Sequence, residues 1–212
     1  METVVYLIRH SEGIPKANMK PILVKDNAQT NNEKMILSVS GEKLAEKLSK
    51  NPELQNIDAV YSSNYVRAIG TAKYIAMENN TIINIDERLN ERKIGDISTI
   101  DAKDFHRFQS KDFDFKLSGG ESINQTKKRM VEAMKNILMF ETGNRVAVIS
   151  HSTALTALLS AWCEVGRNYD DDVILTYKDK SVIDGAWTAP MGFKVTFDGM
   201  NVLDIECLKI EE

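Results

Sequence analysis

Two histidines, two arginines and a pair of serines stand near the ends of short apolar runs in this chain. These residues are Arg9, His10, Ser62, Ser63, Arg67 and His151, and they include two of the three histidines in the sequence. Neutral imidazole can act as a nucleophile near pH 7, and guanidinium groups bind phosphate oxygens through paired hydrogen bonds. Brought together, these residue types would suit a reaction at a phosphate group.

The elements that must position these side chains are predicted from hydrophobic patterning. Short apolar runs predict strands at Thr3–Ile8, Asp58–Tyr61, Thr81–Ile85, Arg145–Ser150, Val173–Tyr177, Gly192–Phe197 and Val202–Leu208. Amphipathic spacing predicts helices that begin at Ser40-Gly41-Glu42, after the cap residues Ser62-Ser63-Asn64, at the capping box of Ser122 with Gln125, and at Thr153, the last running to Val165. This alternation favours an α/β fold, a three-layer α/β/α sandwich with a mostly parallel central sheet.

Parallel strands end at the same edge of a sheet, and ligands of open α/β sheets bind outside those carboxyl ends. The strand ends therefore predict one crevice that gathers both histidines, both arginines and two helix N-termini. A single histidine at a strand end is more often structural than catalytic. Likewise, Arg67 alone is typical of a solvated helix residue, and Ser62-Ser63 alone is typical of an N-cap. The combination of two histidines with two arginines reverses that balance.

Five segments, in order, resemble the histidine phosphatase superfamily, which includes the cofactor-dependent phosphoglycerate mutases. They are Leu7-Ile8-Arg9-His10, Val60–Ala68, Arg88–Gly95, Gly119-Gly120-Glu121-Ser122 and Val146–His151. Each segment alone is a weak signal, whereas together they are specific. The resemblance implies a phosphoglycerate mutase-like fold, a single domain over residues 1–212 with residues 96–118 as a small lid insertion.

The resemblance also implies a role for each site residue. His10 would attack phosphorus and form a phosphohistidine, which splits hydrolysis into two easier steps. Glu91 would protonate the leaving oxygen and then deprotonate water. Without the family, Glu91 is typical of a surface carboxylate paired with Arg88 or Arg92. The groups expected to hold the phosphate are Arg9, Arg67, His151 and Ser63, with backbone donors near Ser11.

The chain departs from the family pattern near both histidines. Ser11 and Ser152 replace the usual glycines, which requires negative φ at those positions and places hydroxyls that could donate to phosphate. Lys16 stands where an asparagine is often found, with Asn18 two residues further on, and residues 19–37 form a longer connection than usual. These departures concern contacts to the substrate more than the phosphate core.

Composition argues against several classes of protein. Lys and Arg number 27 against 31 Asp and Glu, a net charge of −4, which disfavours nonspecific binding to nucleic acid. No run approaches the ~20 apolar residues of a membrane helix. Two cysteines without metal spacing favour a reducing, cytoplasmic setting. No metal and no cofactor is expected. The expected partner is a small phosphorylated substrate, and the oligomeric state is left open.

The sequence therefore predicts a metal-independent phosphomonoester hydrolase. Two alternatives stay open: a cofactor-dependent phosphoglycerate mutase, and a phosphate-binding scaffold that has lost turnover, which the two serines would suit. Residues 96–118 contain one arginine, Arg107, which disfavours a mutase that must hold a second acidic group. The same residues contain Phe105, Phe108, Phe113 and Phe115. We expect these rings to pack the lid onto the body; the alternative is that one or two line the mouth of the pocket.

Overall fold

The computed structural model describes residues 1–14 and 28–210. Lys16, Asn18 and the first part of the 19–37 connection lie outside these residues. The remainder of that connection contains a helix that the sequence pattern did not predict, α1 (Ala28–Lys34).

The strands of the described residues form two sheets. They are β1 (Glu2–Arg9), β2 (Ala59–Ser62), β3 (Ile83–Ile85), β4 (Arg145–Ser150), β5 (Glu164–Arg167), β6 (Val173–Tyr177), β7 (Lys180–Asp184), β8 (Met191–Asp198) and β9 (Asn201–Cys207). The central sheet has the order β3-β2-β4-β1-β8-β9, and β5-β6-β7 form a second, antiparallel sheet. β3, β2, β4 and β1 are parallel, whereas β8 and β9 are antiparallel. The predicted mostly parallel central sheet is confirmed.

Helices cover both faces of the central sheet. After α1 they are α2 (Val39–Ser49), α3 (Val66–Glu78), α4 (Ala102–Lys111), α5 (Ile123–Phe140) and α6 (Ser152–Leu159). Because side chains alternate along a strand, Val5 and Leu7 of β1 pack with α5 and α6, while Tyr6 and Ile8 pack with α2 and α3. This confirms the three-layer sandwich. No helix among the described residues is long and apolar enough to cross a membrane.

The helix starts agree with the sequence in one case and differ in two. The capping box of Ser122 with Gln125 is confirmed at the start of α5. In contrast, α2 is capped by Ser38, whose hydroxyl accepts from the Gly41 N–H at 2.9 Å, and not at Ser40. The prediction of a serine cap for α3 is wrong, since its N-cap, Tyr65, makes no side-chain cap bond. Ser63 has another partner, as shown below.

The prediction is also wrong for the chain after His151. The helix α6 ends at Leu159 and does not continue to Val165, because residues 164–167 pair with β6 as the strand β5. Strand β7 was not predicted. It follows β6 through a two-residue turn, Lys178-Asp179, in which both φ angles are positive, at 48° and 64°. Such a turn matches the twist of the two strands it joins. The secondary structure of this region is determined by strand pairing, which local sequence patterns do not report.

Residues 96–118, called here the 96–118 segment, leave and rejoin the body at neighbouring points. The Asp96 N–H donates to the Ser118 carbonyl at 2.9 Å, and the Glu121 N–H donates to the Lys93 carbonyl at 2.8 Å. Close approach requires glycine here, because a Cβ on Gly120 would lie 2.5 Å from the Ile94 carbonyl oxygen. Within the segment α4 forms, a strongly amphipathic helix that was not predicted from the sequence.

Candidate active site

Three strands of the central sheet deliver the predicted site residues to one edge. β4 lies between β2 and β1, and all three run parallel. His10 directly follows β1, Ser63 directly follows β2, and His151 directly follows β4. The in-register pairing of Arg9 with Ser150 brings the two histidines to the same level. Their ring centroids are 5.0 Å apart. The crevice predicted from the strand ends is therefore present.

The hydrogen bonds of His10 determine which ring nitrogen carries its proton. Nε2 lies 2.8 Å from Nε of Arg67, which can only donate, so Nε2 accepts. The proton therefore resides on Nδ1, which donates to the Ser11 carbonyl oxygen at 2.6 Å. This arrangement orients the ring and leaves the lone pair of Nε2 facing the arginine.

Burial keeps His10 neutral. The side chain is 9% exposed. Desolvation by burial, together with the charge of Arg67 and a smaller effect of Arg9, lowers its pKa to about 3, although the hydrogen bond to the Ser11 carbonyl opposes this shift. A neutral imidazole carries the lone pair that a nucleophile needs, so His10 is in the reactive form across the physiological pH range.

Arg67 joins the two histidines. It follows Val66, the first residue of α3, and its side chain is buried. Besides the bond to His10, Nη2 lies 3.1 Å from Nδ1 of His151, and Nη1 donates to the carbonyl of Asn32 in α1. Burial lowers the pKa of Arg67, and Glu91 opposes this. Guanidinium nevertheless stays protonated in proteins, so a positive charge lies between the histidines.

His151 completes the cluster on the other side of Arg67. Its Nδ1 accepts from the arginine, so the proton lies on Nε2, which donates to Oγ of Ser63 at 2.8 Å. The side chain is fully buried, and desolvation, followed by the charges of His10 and Arg67, lowers its pKa well below the usual value. Ser63 Oγ also accepts from the Tyr65 N–H at 3.2 Å. Ser63 therefore serves this cluster and does not cap α3.

Glu91 lies beside the N-terminus of α6, the helix that begins directly after His151. Its carboxylate accepts from three backbone N–H groups, those of Arg92 at 2.7 Å, Ala154 at 3.0 Å and Thr153 at 3.2 Å. The alternative surface pairing does not occur, because Arg88 pairs with Asp86 at 2.7 Å and the Arg92 guanidinium is buried against a phenylalanine ring. These backbone donors fix the position of the Glu91 carboxyl group against the first turn of α6.

Arg9 lies at the edge of this cluster and not within its hydrogen bonds. Its Nη1 donates to the carbonyls of Trp187 at 2.7 Å and Thr188 at 3.0 Å. Its Nε is buried and has no partner among the described residues. Burial lowers the pKa of Arg9, and the nearby Glu91 raises it. Part of the guanidinium thus holds the loop at residues 187–188, and Nε remains available as a donor.

Comparison with known proteins assigns this arrangement to a family. The sequence profile of the histidine phosphatase superfamily (branch 1) matches residues 5–184. The chain belongs to the histidine phosphatase superfamily. Every residue of the cluster described above lies within the matched range.

Two sequence relatives in this superfamily are both named after phosphoglycerate mutase. "Phosphoglycerate mutase-like protein 4" of Arabidopsis thaliana is 32% identical over 127 residues, 55% of this chain and 54% of the relative, so the match spans about half of that protein. "Probable phosphoglycerate mutase GpmB" of Salmonella choleraesuis is 28% identical over 174 residues, 76% of this chain and 77% of the relative. The chain is thus similar to proteins named for the mutase reaction.

Solved structures of a phosphatase and of a mutase share the fold of this chain. A mycobacterial glucosyl-3-phosphoglycerate phosphatase in complex with VO3 has a TM-score of 0.69 at 17% identity, covering 96% of each chain. A phosphoglycerate mutase from Bacillus anthracis has a TM-score of 0.67 at 15% identity, covering 98% of this chain and 92% of the other. At such identities the likeness concerns the fold alone.

The serines that replace superfamily glycines adopt ordinary backbone conformations. Neither Ser11 nor Ser152 has a positive φ, as the sequence analysis required. The donors of Ser11 itself have partners within the protein. The Ser11 hydroxyl donates to the Gly41 carbonyl at 2.7 Å, and its N–H donates to Oγ1 of Thr71 at 2.9 Å. Ser11 anchors the segment after β1 to α2 and α3.

An ion pair behind Glu91 was not predicted from the sequence. Arg129 of α5 binds Glu121 through two hydrogen bonds of 2.8 and 2.9 Å, and its Nη1 donates to the carbonyls of Arg88 at 2.7 Å and Asn90 at 2.8 Å. Glu121 in turn accepts from the Lys93 N–H at 3.0 Å. The pair therefore holds the backbone on both sides of Glu91. Glu121 and Arg129 are eight residues apart near the start of α5, and this spacing was the only sign of the pair in the sequence.

The 96–118 segment and the second sheet enclose a cavity of about 200 Å³ beside Glu91. Of the four phenylalanines, three contact one another, with ring centroids 5.5 Å (Phe108 to Phe115) and 6.2 Å (Phe105 to Phe115) apart. Phe113 lines the cavity. The ring contacts lie within the segment, and Phe105 also meets the Arg92 guanidinium of the body at 4.8 Å. A larger groove of about 600 Å³ lies between α2, β8 and β9 and contains none of the strand-end residues.

Proposed function

We propose that this protein is a metal-independent phosphomonoester hydrolase that works through a phosphohistidine on His10. The observation that carries the proposal is a neutral, buried His10 whose Nε2 lone pair faces the Arg67 guanidinium. A nucleophile held beside a cation can receive a phosphate dianion at the point where it must react. Cationic side chains supply the charge stabilisation, so no metal is needed in this scheme.

Binding of phosphate would free the nucleophile. Arg67 donates to His10 through Nε at 2.8 Å and faces His151 through Nη2 at 3.1 Å. A phosphate dianion accepts more strongly than a neutral imidazole, because charge-assisted hydrogen bonds are roughly twice as strong as neutral ones. The arginine donors would turn to the phosphate and release the lone pair of Nε2. Arg9, His151 and Ser63 would hold the remaining oxygens.

The reaction has two balanced steps. In the first, the bond from Nε2 of His10 to phosphorus forms while the ester bond to the leaving oxygen breaks, and protonated Glu91 gives that oxygen its proton. In the second, the Glu91 carboxylate takes a proton from water as the water oxygen attacks phosphorus. The nitrogen–phosphorus bond breaks, inorganic phosphate leaves, and His10 and Glu91 return to their initial states.

The mutase reaction is the second candidate, and the names of the sequence relatives favour it. A mutase must hold a second acidic group of a bisphosphorylated intermediate. The one arginine of the 96–118 segment, Arg107, pairs with Asp104 at 2.9 Å. Hydrolysis is therefore the better supported activity. A scaffold without turnover is less well supported, because binding alone needs neither the nucleophile nor the acid.

The setting of the activity is also a proposal. Cys163 and Cys207 are free thiols, which suits a reducing, cytoplasmic compartment. The partner would be a small phosphorylated substrate, with the 96–118 segment acting as a lid over it.

The proposal is tested by following phosphate and protein together. The protein is incubated with phenyl phosphate and with 3-phosphoglycerate, the latter with and without 2,3-bisphosphoglycerate, and both free phosphate and acid-labile phosphate on His10 are measured. We expect phosphate release, a labelled His10, and little interconversion of 2- and 3-phosphoglycerate. Interconversion faster than release would establish the mutase. A protein that binds phosphate and labels no histidine would be a scaffold.

A further inference from the structure

The cavity beside Glu91 is formed by three elements that do not belong to the phosphate cluster. α4 contributes one wall, the second sheet contributes another, and the first turns of α6 form the floor. The side chains that line it include His106, Gln109, Ser152, Thr153, Asp172 and Trp187.

Two contacts place this cavity on the leaving-group side of the site. Thr153, which lines the cavity, donates its N–H to Oε2 of Glu91 at 3.2 Å. Trp187, which also lines it, accepts through its carbonyl from Arg9 at 2.7 Å. Because the acid must reach the leaving oxygen, the group attached to that oxygen would extend into this space. This step rests on the proposed phosphatase function.

The two ionisable side chains that line the cavity contact each other. Nε2 of His106 lies 2.7 Å from Oδ1 of Asp172, and these are the only ionisable side chains among its described lining residues. A carboxylate or a second phosphate on the leaving group would meet Asp172 and no unpaired cation. Moving an anion into a partly enclosed space without a partner is costly, so the lining disfavours acidic leaving groups.

The polar groups that remain are suited to hydroxyls. Within the part of the chain that the structure describes, Oε1 of Gln109 is buried without a hydrogen-bond partner. The hydroxyls of Ser152 and Thr153 have no partner there either. The indole of Trp187, whose Nε1 already donates to Thr156 at 3.1 Å, offers an apolar face. A buried unpaired acceptor is unfavourable, and rotation of the Gln109 amide, which belongs to the cavity lining, would let Oε1 accept from a ligand hydroxyl.

We propose that this cavity selects an uncharged leaving group that carries hydroxyls, and that Gln109 accepts a hydrogen bond from one of them. Such a substrate is the phosphate monoester of a neutral polyol or cyclic polyol. Ser152 and Thr153, which flank Glu91 on α6, exchange hydrogen bonds with further hydroxyls, and Trp187 covers the carbon skeleton. Gln109 is then a specificity residue that is remote from the phosphate itself.

Two matched pairs of substrates test the two parts of this proposal. Glycerol 3-phosphate and 3-phosphoglycerate differ in a hydroxymethyl against a carboxylate, and myo-inositol 1-phosphate and cyclohexyl phosphate differ in ring hydroxyls. We expect kcat/KM to favour the first member of each pair by about tenfold or more, since a site that pairs hydroxyls rejects analogues that lack them. Ratios near one, or reversed, would overturn the proposal.

Variants assign the effect to Gln109. The test variant is Gln109→Leu, with Gln109→Met as a second variant of similar shape. Each is expected to bring the ratio of kcat/KM for myo-inositol 1-phosphate to that for cyclohexyl phosphate to about one. The preference for glycerol 3-phosphate over 3-phosphoglycerate should persist. Lys103→Leu is the matched control, because Lys103 is exposed on the same helix and does not line the cavity. An inositol preference that survives both Gln109 variants would refute its role.

Failure of the two proposals can be told apart. Phenyl phosphate is assayed beside the four substrates, and label on His10 is followed throughout. Phosphate release with equal or reversed ratios overturns the cavity proposal and leaves the phosphatase in place. No release from any of the five, with no label on His10, overturns both.

Discussion

The phosphate side and the leaving-group side of the site are built in different ways. On the phosphate side, His10, Ser63 and His151 follow directly after three adjacent parallel strands, and the sheet holds them. On the leaving-group side, two side-chain contacts join α4 to the loop before β6. His106 lies 2.7 Å from Asp172, and Lys111 lies 2.9 Å from Asp171. These four side chains are 33% to 55% exposed.

The two constructions have different energetic consequences. Exposed ion pairs contribute only about 0–1 kcal/mol each, whereas the buried histidine cluster is enclosed by close-packed core. In the proposed scheme, the phosphate chemistry is held by the buried core, whereas the choice of substrate falls to a segment whose ion pairs to the body are exposed. Substitutions on the first side should change the rate, and substitutions on the second should change the preference among substrates.

The largest effect that separates the two sides is expected from His10→Ala. Turnover should fall by about 10⁴-fold or more and label on the protein should disappear, because the covalent route is lost. Lys111→Ala, on the leaving-group side, should change kcat by less than about threefold. Phosphate release and thermal unfolding of both variants provide the measurement. Residual activity of His10→Ala within tenfold of the parent would refute the nucleophile.

An intermediate effect is expected from Arg129, which holds the backbone on both sides of Glu91. Arg129→Met should lower kcat for alkyl phosphates by about 10- to 100-fold, because the backbone on both sides of the acid loses its anchor. Lys128→Met is the matched control, since Lys128 is the exposed neighbour on α5.

A positioning role for Arg129 has a specific signature. With 2,4-dinitrophenyl phosphate, whose leaving group needs no proton, the loss in Arg129→Met should be much smaller than with an alkyl phosphate. An equal loss for both substrates, together with a lower melting temperature, would reduce the role of Arg129 to stability.

The same division explains what the sequence could predict. β1, β2 and β4 are buried on both faces and appear as unbroken apolar runs, so their ends and the residues after them were readable. The first turn of α5 was readable because its capping box is local, Ser122 with Gln125 three residues later. Chemistry that depends on strand ends is therefore accessible to sequence reasoning.

The leaving-group side depends on contacts between residues far apart in sequence. α4 is an exception, since its local pattern is strongly amphipathic, but its many charges and few apolar residues led to its being overlooked. β5 resembled the end of a helix, because only pairing with β6 makes it a strand. The contact of Arg129 with the carbonyls of Arg88 and Asn90 crosses 41 and 39 residues. No local period reports such contacts, which is why β5 and β7 of the second sheet, the cavity and the pair behind Glu91 were missed.

The smallest expected effect concerns stability in acid, and it again singles out the phosphate side. The pKa of His10 falls from 6.5 to about 3 on folding because of burial and the charge of Arg67, and the pKa of His151 is lowered in the same direction. Between these pH values the unfolded chain binds a proton at His10 that the folded chain does not. The free energy of unfolding must therefore decrease as the pH falls below 6.5.

The test uses the pH window in which histidines act alone. Carboxylates such as Glu42 and Glu53, whose pKa values are lowered from 4.5 by hydrogen bonds to Lys73 and Lys194, stabilise the fold above that value and lose this contribution only below it. Urea unfolding of the parent from pH 7 to pH 5 should therefore show a slope of at most about 1.4 kcal/mol per pH unit for each buried histidine. In His10→Ala the slope should decrease, because one of these groups is gone. An unchanged slope would mean that the phosphate side is open to water and that His10 is not held neutral by burial.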